Sequence, residues 1–312
     1  LTVAAKNHSI VNGLVSHIEQ RNDVDSEVPC VMIIALVEGR YKVPIPFDEF
    51  YQKNPIDMAT VNMETKAGRE EYVNRCATMA AKLYSLNVPM VITTIQVDES
   101  TDAEAGVPAY VIVASRKAAL DIIEETNYGD RPDGDGPRIQ EGDFVRAQIT
   151  SVARDSIAVV VGGVDTRVPL HALTFEYLVD ARTKYKVGQE IMVQVEQIIK
   201  EKDGHHIVEV TCKQPELERA KQMRSALPIG SIVFGIVSSV AASKKQPGNI
   251  NVLAYIKMYD LPVLVNNMPA KFLGSEPPRG STVRLKVLNY LDNGMILCRC
   301  IGTQGPMNFP NA

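Results

Sequence analysis

The stretch that decides the fold is Ile139–Lys213. It begins IQEGDFVRAQITSVARDSIAVVVGGVDTRVPLHAL and closes KVGQEIMVQVEQIIKEKDGHHIVEVTCK. Gly142 opens a first strand, DFVRAQITSV, and a break at Ala153–Ser156 leads into the apolar run IAVVV. Gly162-Gly163 makes a turn, TRVPLHAL is a third strand, and a polar helical segment follows. Gly188 starts the alternating strand EIMVQVEQI, KDGHH turns the chain with its two histidines exposed, and IVEVTCK closes the unit. Five short alternating strands bounded by turn residues predict one small closed β-barrel.

The same pattern recurs on both sides. LPIGSIVFGIVSSVAAS restates IQEGDFVRAQITSVARDS, and Gly280 in PPRGSTVRLKVLNYLDNG matches Gly188. Upstream, Lys42-Val43-Pro44-Ile45 aligns with Arg167-Val168-Pro169-Leu170. The closing strands VIVASRK, IVEVTCK and MILCRCI place Ser115, Cys212 and Arg299 at 97- and 87-residue intervals. Repeats this long are separate small domains. The expected fold class is all-β with inserted and connecting helices: three tandem five-stranded barrels. The first spans 1–127 and carries an added helix at about 66–86, where Tyr72, Cys76, Met79, Ala80 and Leu83 recur at helical spacing. A Gly/Pro/Asp-rich linker at 128–138 lets the first unit move relative to the second. The second barrel covers 139–214, a connecting helix 215–226, the third barrel 227–303, and a frayed tail 304–312.

Composition narrows the function. The chain has 312 residues, 45% of them hydrophobic, and a formal net charge of −4. A dedicated duplex-DNA binder is usually basic. No run of 18 apolar residues is present, so no membrane crossing is expected, and the location expected is the cytoplasm. The five cysteines form no C-x-x-C pair, and the five histidines supply no metal-ligand spacing. Reduced, buried thiols are expected, with no metal and no cofactor. Gly-x-Ser-x-Gly, a phosphate loop ending Gly-Lys-Ser/Thr and His-Glu-x-x-His are all absent, so no enzyme activity is expected.

A strand order with one helical piece between the third and fourth strands is that of an oligonucleotide/oligosaccharide-binding (OB) barrel. More specifically, the units resemble the S-one domain, the RNA-binding domain repeated in the largest small-subunit ribosomal protein. EGDFVRAQITSV is similar to that family's opening strand, GGVDTRVPLHAL to its glycine turn and third strand, and KVGQEIMVQVEQI to its fourth. In the first unit, VIVASRKAAL is similar to its closing strand. The resemblance implies binding of single-stranded RNA, with single-stranded DNA as a variant ligand. RNA-gripping members carry aromatics near the second strand and a histidine in the third. The central unit has Asp155, Ser156, Ala158 and Pro169 there, and His171 lies two residues beyond the expected place.

The third unit offers replacements. In NVLAYIKMYD, strict alternation puts Val252, Ala254, Ile256 and Met258 on one face and Leu253, Tyr255, Lys257 and Tyr259 on the other. Two tyrosines flanking a lysine suit stacked bases and a phosphate, and Lys244 and Lys245 sit in the preceding loop; the alternative is that the tyrosines cover the barrel or meet a neighbouring domain. The other candidate RNA-binding residues are Arg40, Tyr41 and Lys42, with a structural role as the alternative, and Arg116, Lys117, Arg167, His171 and Lys213, each also readable as a solvated surface group. The alternative function is a structural or assembly protein, for example of a phage or mobile-element particle, whose barrels bind protein instead of RNA through helix 66–86. Its support is the acidic balance, the missing aromatics and that added helix.

Overall fold

Among the described residues the chain forms fifteen strands in three sheets, each over its own apolar core. The computed structural model describes residues 1–21, 30–98, 109–131, 134–244, 246–269 and 277–304. Residues 101–106, where TDAEAG predicts a turn, Lys245 and residues 305–312 of the expected tail lie outside them.

The first unit contains α1 (Thr2–Lys6), β1 (Ile10–Arg21), β2 (Cys30–Val37), β3 (Tyr41–Pro46), α2 (Lys66–Ala80), β4 (Asn87–Asp98) and β5 (Ala109–Ser115). Helix α3 (Arg116–Tyr128) leads to β6 (Phe144–Val152), β7 (Ser156–Val161), β8 (Val164–Pro169), α4 (Leu170–Leu173), β9 (Glu190–Lys200) and β10 (His206–Thr211). Helix α5 (Lys213–Gln222) leads to β11 (Ile232–Ala242), β12 (Asn249–Ile256), β13 (Leu261–Pro269), β14 (Thr282–Tyr290) and β15 (Ile296–Gln304). The sheet orders are β3-β2-β1-β4-β5, β8-β7-β6-β9-β10 and β13-β12-β11-β14-β15. All three are one topology, the strand order of an OB barrel. The third closes through a parallel contact, Val263 opposite Ile296 and Leu264 opposite Leu297. In the central unit the free edges also meet, Thr166 Oγ1 donating to Val208 O at 2.5 Å. The expected all-β class with OB-type barrels is what the chain adopts.

The added helix forms as α2 plus a 3-10 turn at Ala81–Leu83. Thr65 caps it by accepting from Gly68 N at 3.1 Å, and Val73, Cys76, Ala80 and Leu83 are buried in the first core. One helix escaped the sequence pattern. VIVASRKAAL reads as a continuous strand, yet β5 stops at Ser115, whose hydroxyl accepts from Ala118 N at 2.9 Å and starts α3. Helix α3 buries Arg116, Ala119, Leu120, Glu124 and Tyr128. Tyr128, expected to open a flexible linker, lies in the core of the central barrel and donates its hydroxyl to Val161 O at 2.9 Å. That buried contact opposes free movement at the head of 128–138.

Helix α5 begins two residues before the expected start and is followed by a 3-10 turn at Arg224–Ala226. Its Glu216 is 8% exposed. The carboxylate accepts from Thr174 Oγ1 at 2.6 Å and from Phe175 N at 2.8 Å. Burial holds this carboxyl above its ordinary value of 4.5. Because the folded value is the raised one, the folded state binds more protons between the two values, and the contribution is lost as pH rises through the folded value. Glu216→Gln cannot ionise. Its stability relative to wild type is expected to improve as the pH is raised from 4.5 towards neutrality. Urea midpoints of both proteins at each pH measure this, and a pH-independent difference sinks it.

Candidate nucleic-acid interface

The tyrosine face expected in the third barrel does not form as an open surface. Strand β12 ends at Ile256, and residues 257–260 turn, with Asp260 at φ +56°. Alternation therefore fails after Ile256, and Met258, expected inside, is 78% exposed. Tyr255 is outward in register but only 1% exposed. Its hydroxyl donates to Asp260 Oδ1 at 2.5 Å, Lys184 Nζ sits 5.6 Å from its ring, and Arg219 of α5 pairs with Asp260. Burial drives the phenol pKa above its ordinary range. The ring is thus packed at the junction with the central unit and offers no free face to a base. Tyr259 is half-buried on the third core. Lys257 is exposed, 3.9 Å from Glu176, and Lys244 is exposed in its loop.

In the first barrel the β2–β3 hairpin carries Arg40, Tyr41 and Lys42 at the surface. The Arg40 guanidinium lies 4.5 Å from the Tyr41 ring centroid and pairs with Glu38 at 3.2 Å. On the central barrel, Arg167 is exposed and donates to Ser156 Oγ at 2.9 Å and Asp155 Oδ1 at 3.2 Å. The Ser156 hydroxyl, with Arg167 beyond it, holds the Asp155 carboxyl below its ordinary range. His171 is exposed on α4. Lys117 is half-buried. Lys213, also half-buried, sits 5.0 Å from the Phe175 ring, and burial lowers its pKa.

Arg116 is neither solvated nor free. It is 1% exposed, donating to Phe50 O at 2.6 Å and to both oxygens of Asp165 at 3.3 Å, with Phe50 stacked 4.8 Å away. It joins the first barrel, α3 and β8. Beside it is a second junction. Glu124 of α3 is 4% exposed and accepts from His206 N at 2.6 Å and from Gln52 Nε2 at 3.0 Å, with His206 Nδ1 at 3.0 Å. His206 is 8% exposed, against the expected turn-exposed histidine, because α3 covers it. Asp121, Glu124 and His205 place three ligand-type atoms within 4.8 Å of one another. Both Glu124 oxygens already accept hydrogen bonds, so the cluster serves as a polar seam between α3 and the central barrel. Sequence spacing could not find this seam, since Glu124 and His206 are 82 residues apart.

All five cysteines are free, and four are buried. Burial pushes the Cys212 and Cys298 thiols up to about 12, away from the thiolate that metal binding or nucleophilic attack requires.

Residues 138–206, from the lead-in to β6 through the start of β10, match the S1 RNA binding domain. The central barrel is similar to an S1 domain. The match takes in the opening strand, the glycine turn and the fourth strand that carry the resemblance in sequence. It supports nucleic-acid binding in general terms. Among solved structures, one similar protein belongs to the a/eIF2alpha–aDim2p–rRNA complex from Pyrococcus horikoshii OT3, with 16% identity and TM-score 0.22 over 27% of this chain and 56% of that one. The chain thus spans little more than half of that relative. A multidomain protein with nucleic acid binding domains from Streptococcus pneumoniae TIGR4 matches at 11% identity and TM-score 0.23, over 94% and 73%. Drosophila Unr CSD456 matches at 12% identity and TM-score 0.17, over 95% and 96%. No curated protein sequence matches significantly. Among the described residues, no helix is long and apolar enough to cross a membrane.

Proposed function

We propose that this chain is a non-catalytic cytoplasmic protein that holds single-stranded RNA across its tandem barrels. The observation that carries the reading is the S1 match of the central barrel. Exposed Lys42, Arg167, His171, Lys244 and Lys257 are the proposed phosphate contacts, and Tyr41, 39% exposed, replaces Tyr255 as the proposed stacking ring. Each barrel binds weakly alone, and linkage raises the effective concentration of the next site.

Fluorescence anisotropy of a labelled RNA of about 20 nucleotides tests this at about 50 and 200 mM salt. Affinity is expected to fall steeply with salt. Arg167→Ala with His171→Ala is expected to lower the log–log salt slope by about 0.7 for each phosphate no longer neutralised. Tyr255→Phe, at a ring with no open face, is expected to bind as wild type. Absence of binding at low salt with tens of micromolar protein rejects the reading.

A second reading has one observation in its favour. A groove of about 660 Å³ runs beside α2, lined by Ile56, Ala67, Glu70, Glu71, Arg75 and Met79. In that reading α2 docks a protein partner of an assembly. Glu71→Lys with Met79→Glu would then abolish capture of that partner and leave RNA affinity unchanged.

A further inference from the structure

Strands β11, β14 and β15 lie side by side in the third barrel, and their register builds an unusual outer face. Phe234 stands opposite Arg284, and Ile232 opposite Lys286. Lys286 in turn stands opposite Arg299. Their strand neighbours Val283, Leu285 and Cys298 are buried, so these side chains point to solvent. Phe234 is 54% exposed and Ile232 51%. Arg284, Lys286 and Arg299 are all exposed, and among the described residues none of their side chains makes an ion pair or a hydrogen bond. Next to Arg284, Gly302 has no side chain and open space above it.

Like charges directly opposite each other on neighbouring strands repel. Lys286 and Arg299 have that arrangement with no carboxylate to offset it. The central barrel shows the balanced alternative. Aligning Gly142 with Gly230 and Gly188 with Gly280 puts Arg146 at the place of Phe234, Glu190 at Thr282, Met192 at Arg284 and Gln194 at Lys286. There, one cation faces one anion, Arg146 Nη1 lying 3.9 Å from Glu190. The third barrel lacks that acid, carries two cations on the corresponding strand and exposes a phenyl ring beside them.

We infer that this β11–β14–β15 face binds single-stranded RNA, with Arg284, Lys286 and Arg299 on phosphates and Phe234 under a base. The inference rests on the RNA-binding reading above and adds a face to it. The face lies off the strand 2–3 surface and loops by which OB barrels commonly hold oligonucleotides, which here are β12–β13. A polyanion fits three unbalanced cations, and a stacked base fits an isolated exposed ring.

The same anisotropy experiment on the full chain tests it with two variants, Arg284→Ala/Lys286→Ala/Arg299→Ala and Phe234→Ala. The triple variant is expected to lose about tenfold or more in affinity at low salt, and its log–log salt slope to fall by about 2, at about 0.7 per single-strand phosphate. Phe234→Ala is expected to lose about tenfold with the slope unchanged, because a stacked ring carries no charge. Melting temperatures of both are expected at or above wild type, as the residues are exposed and the triple change removes repulsion. Wild-type binding retained in both variants overturns this face and leaves the RNA reading standing. No binding by the wild-type chain removes both.

Discussion

Arg116→Ala is expected to destabilise the chain by about 3 kcal/mol, the lower end of the range for breaking a buried ion pair. The guanidinium is 2% exposed and spends its two terminal nitrogens on Phe50 O and the Asp165 carboxylate. Truncation strands both acceptors. The Asp165 side chain is 22% exposed, so water recovers part of its solvation, which places the effect at the lower end. The loss of packing over Phe50 adds to it. Breaking one partner differs from replacing both: Arg116→Met with Asp165→Asn is expected to recover most of the stability, because no buried charge is then left alone. Chemical denaturation of wild type, Arg116→Met, Asp165→Asn and the double variant in a double-mutant cycle measures the coupling. Arg116→Ala within about 1 kcal/mol of wild type would show that the junction between the first barrel, α3 and β8 does not depend on this residue. Since Arg116 sits away from solvent, RNA affinity per folded molecule is expected to stay unchanged.

What was legible in the sequence was local. Gly142, Gly188, Gly230 and Gly280 mark strand starts, and the alternation after each of them survives as buried Val, Ile, Leu and Ala in the second and third cores. The aligned Val43-Pro44 and Val168-Pro169 hold the same place in the third strand of their units, with both valines buried. Helix α3 was hidden because Ser115 is at once the last residue of β5 and the cap of the helix, so no glycine or proline separates the two periods. Burial by a neighbouring unit left no local trace at all. Tyr255 alternates correctly for an outward residue, and it is covered by Lys184 and by α5, whose positions only the tertiary fold determines. Arg116 and His206 misled for the same reason: basic residues at the end of a strand or turn are ordinarily solvated, and here α3 closes over them. Of the candidate contacts that stay exposed, Arg40, Tyr41 and Lys42 sit on the β2–β3 hairpin, Lys244 in a loop, Lys257 in a turn, Arg167 in β8 and His171 on α4.

Gly163→Ala is expected to destabilise the central barrel by about 3–5 kcal/mol, from one added methyl group. Gly163 has φ +100°, a conformation that by itself costs a side chain about 1–3 kcal/mol. Its position adds a steric effect. A Cβ there would lie 2.4 Å from Glu124 N, 2.7 Å from Leu120 O and 2.9 Å from the Ile123 carbonyl carbon, all of them backbone atoms of α3. A helix backbone cannot rotate away as a side-chain tip can, so α3 must lift from the β7–β8 turn, and overpacking of this kind costs about 1–3 kcal/mol more. Lifting also strains the Tyr128–Val161 and Glu124–His206 hydrogen bonds, which hold the helix on that barrel. Gly204 in the same barrel separates the two effects. Its φ is +95°, but nothing lies within 4 Å of its would-be Cβ, so Gly204→Ala is expected to show the conformational cost alone. Urea denaturation of the two variants decides it: a Gly163→Ala loss no larger than that of Gly204→Ala would mean that α3 is not seated on this turn. Gly294 extends the test to the next junction, with φ +96° and a would-be Cβ 2.4 Å from Leu217 O of α5. If both Gly163→Ala and Gly294→Ala exceed Gly204→Ala, each connecting helix is held by a side-chain-free turn of the barrel that follows it. The spacing between neighbouring barrels is then fixed by helix contact and not by linker length.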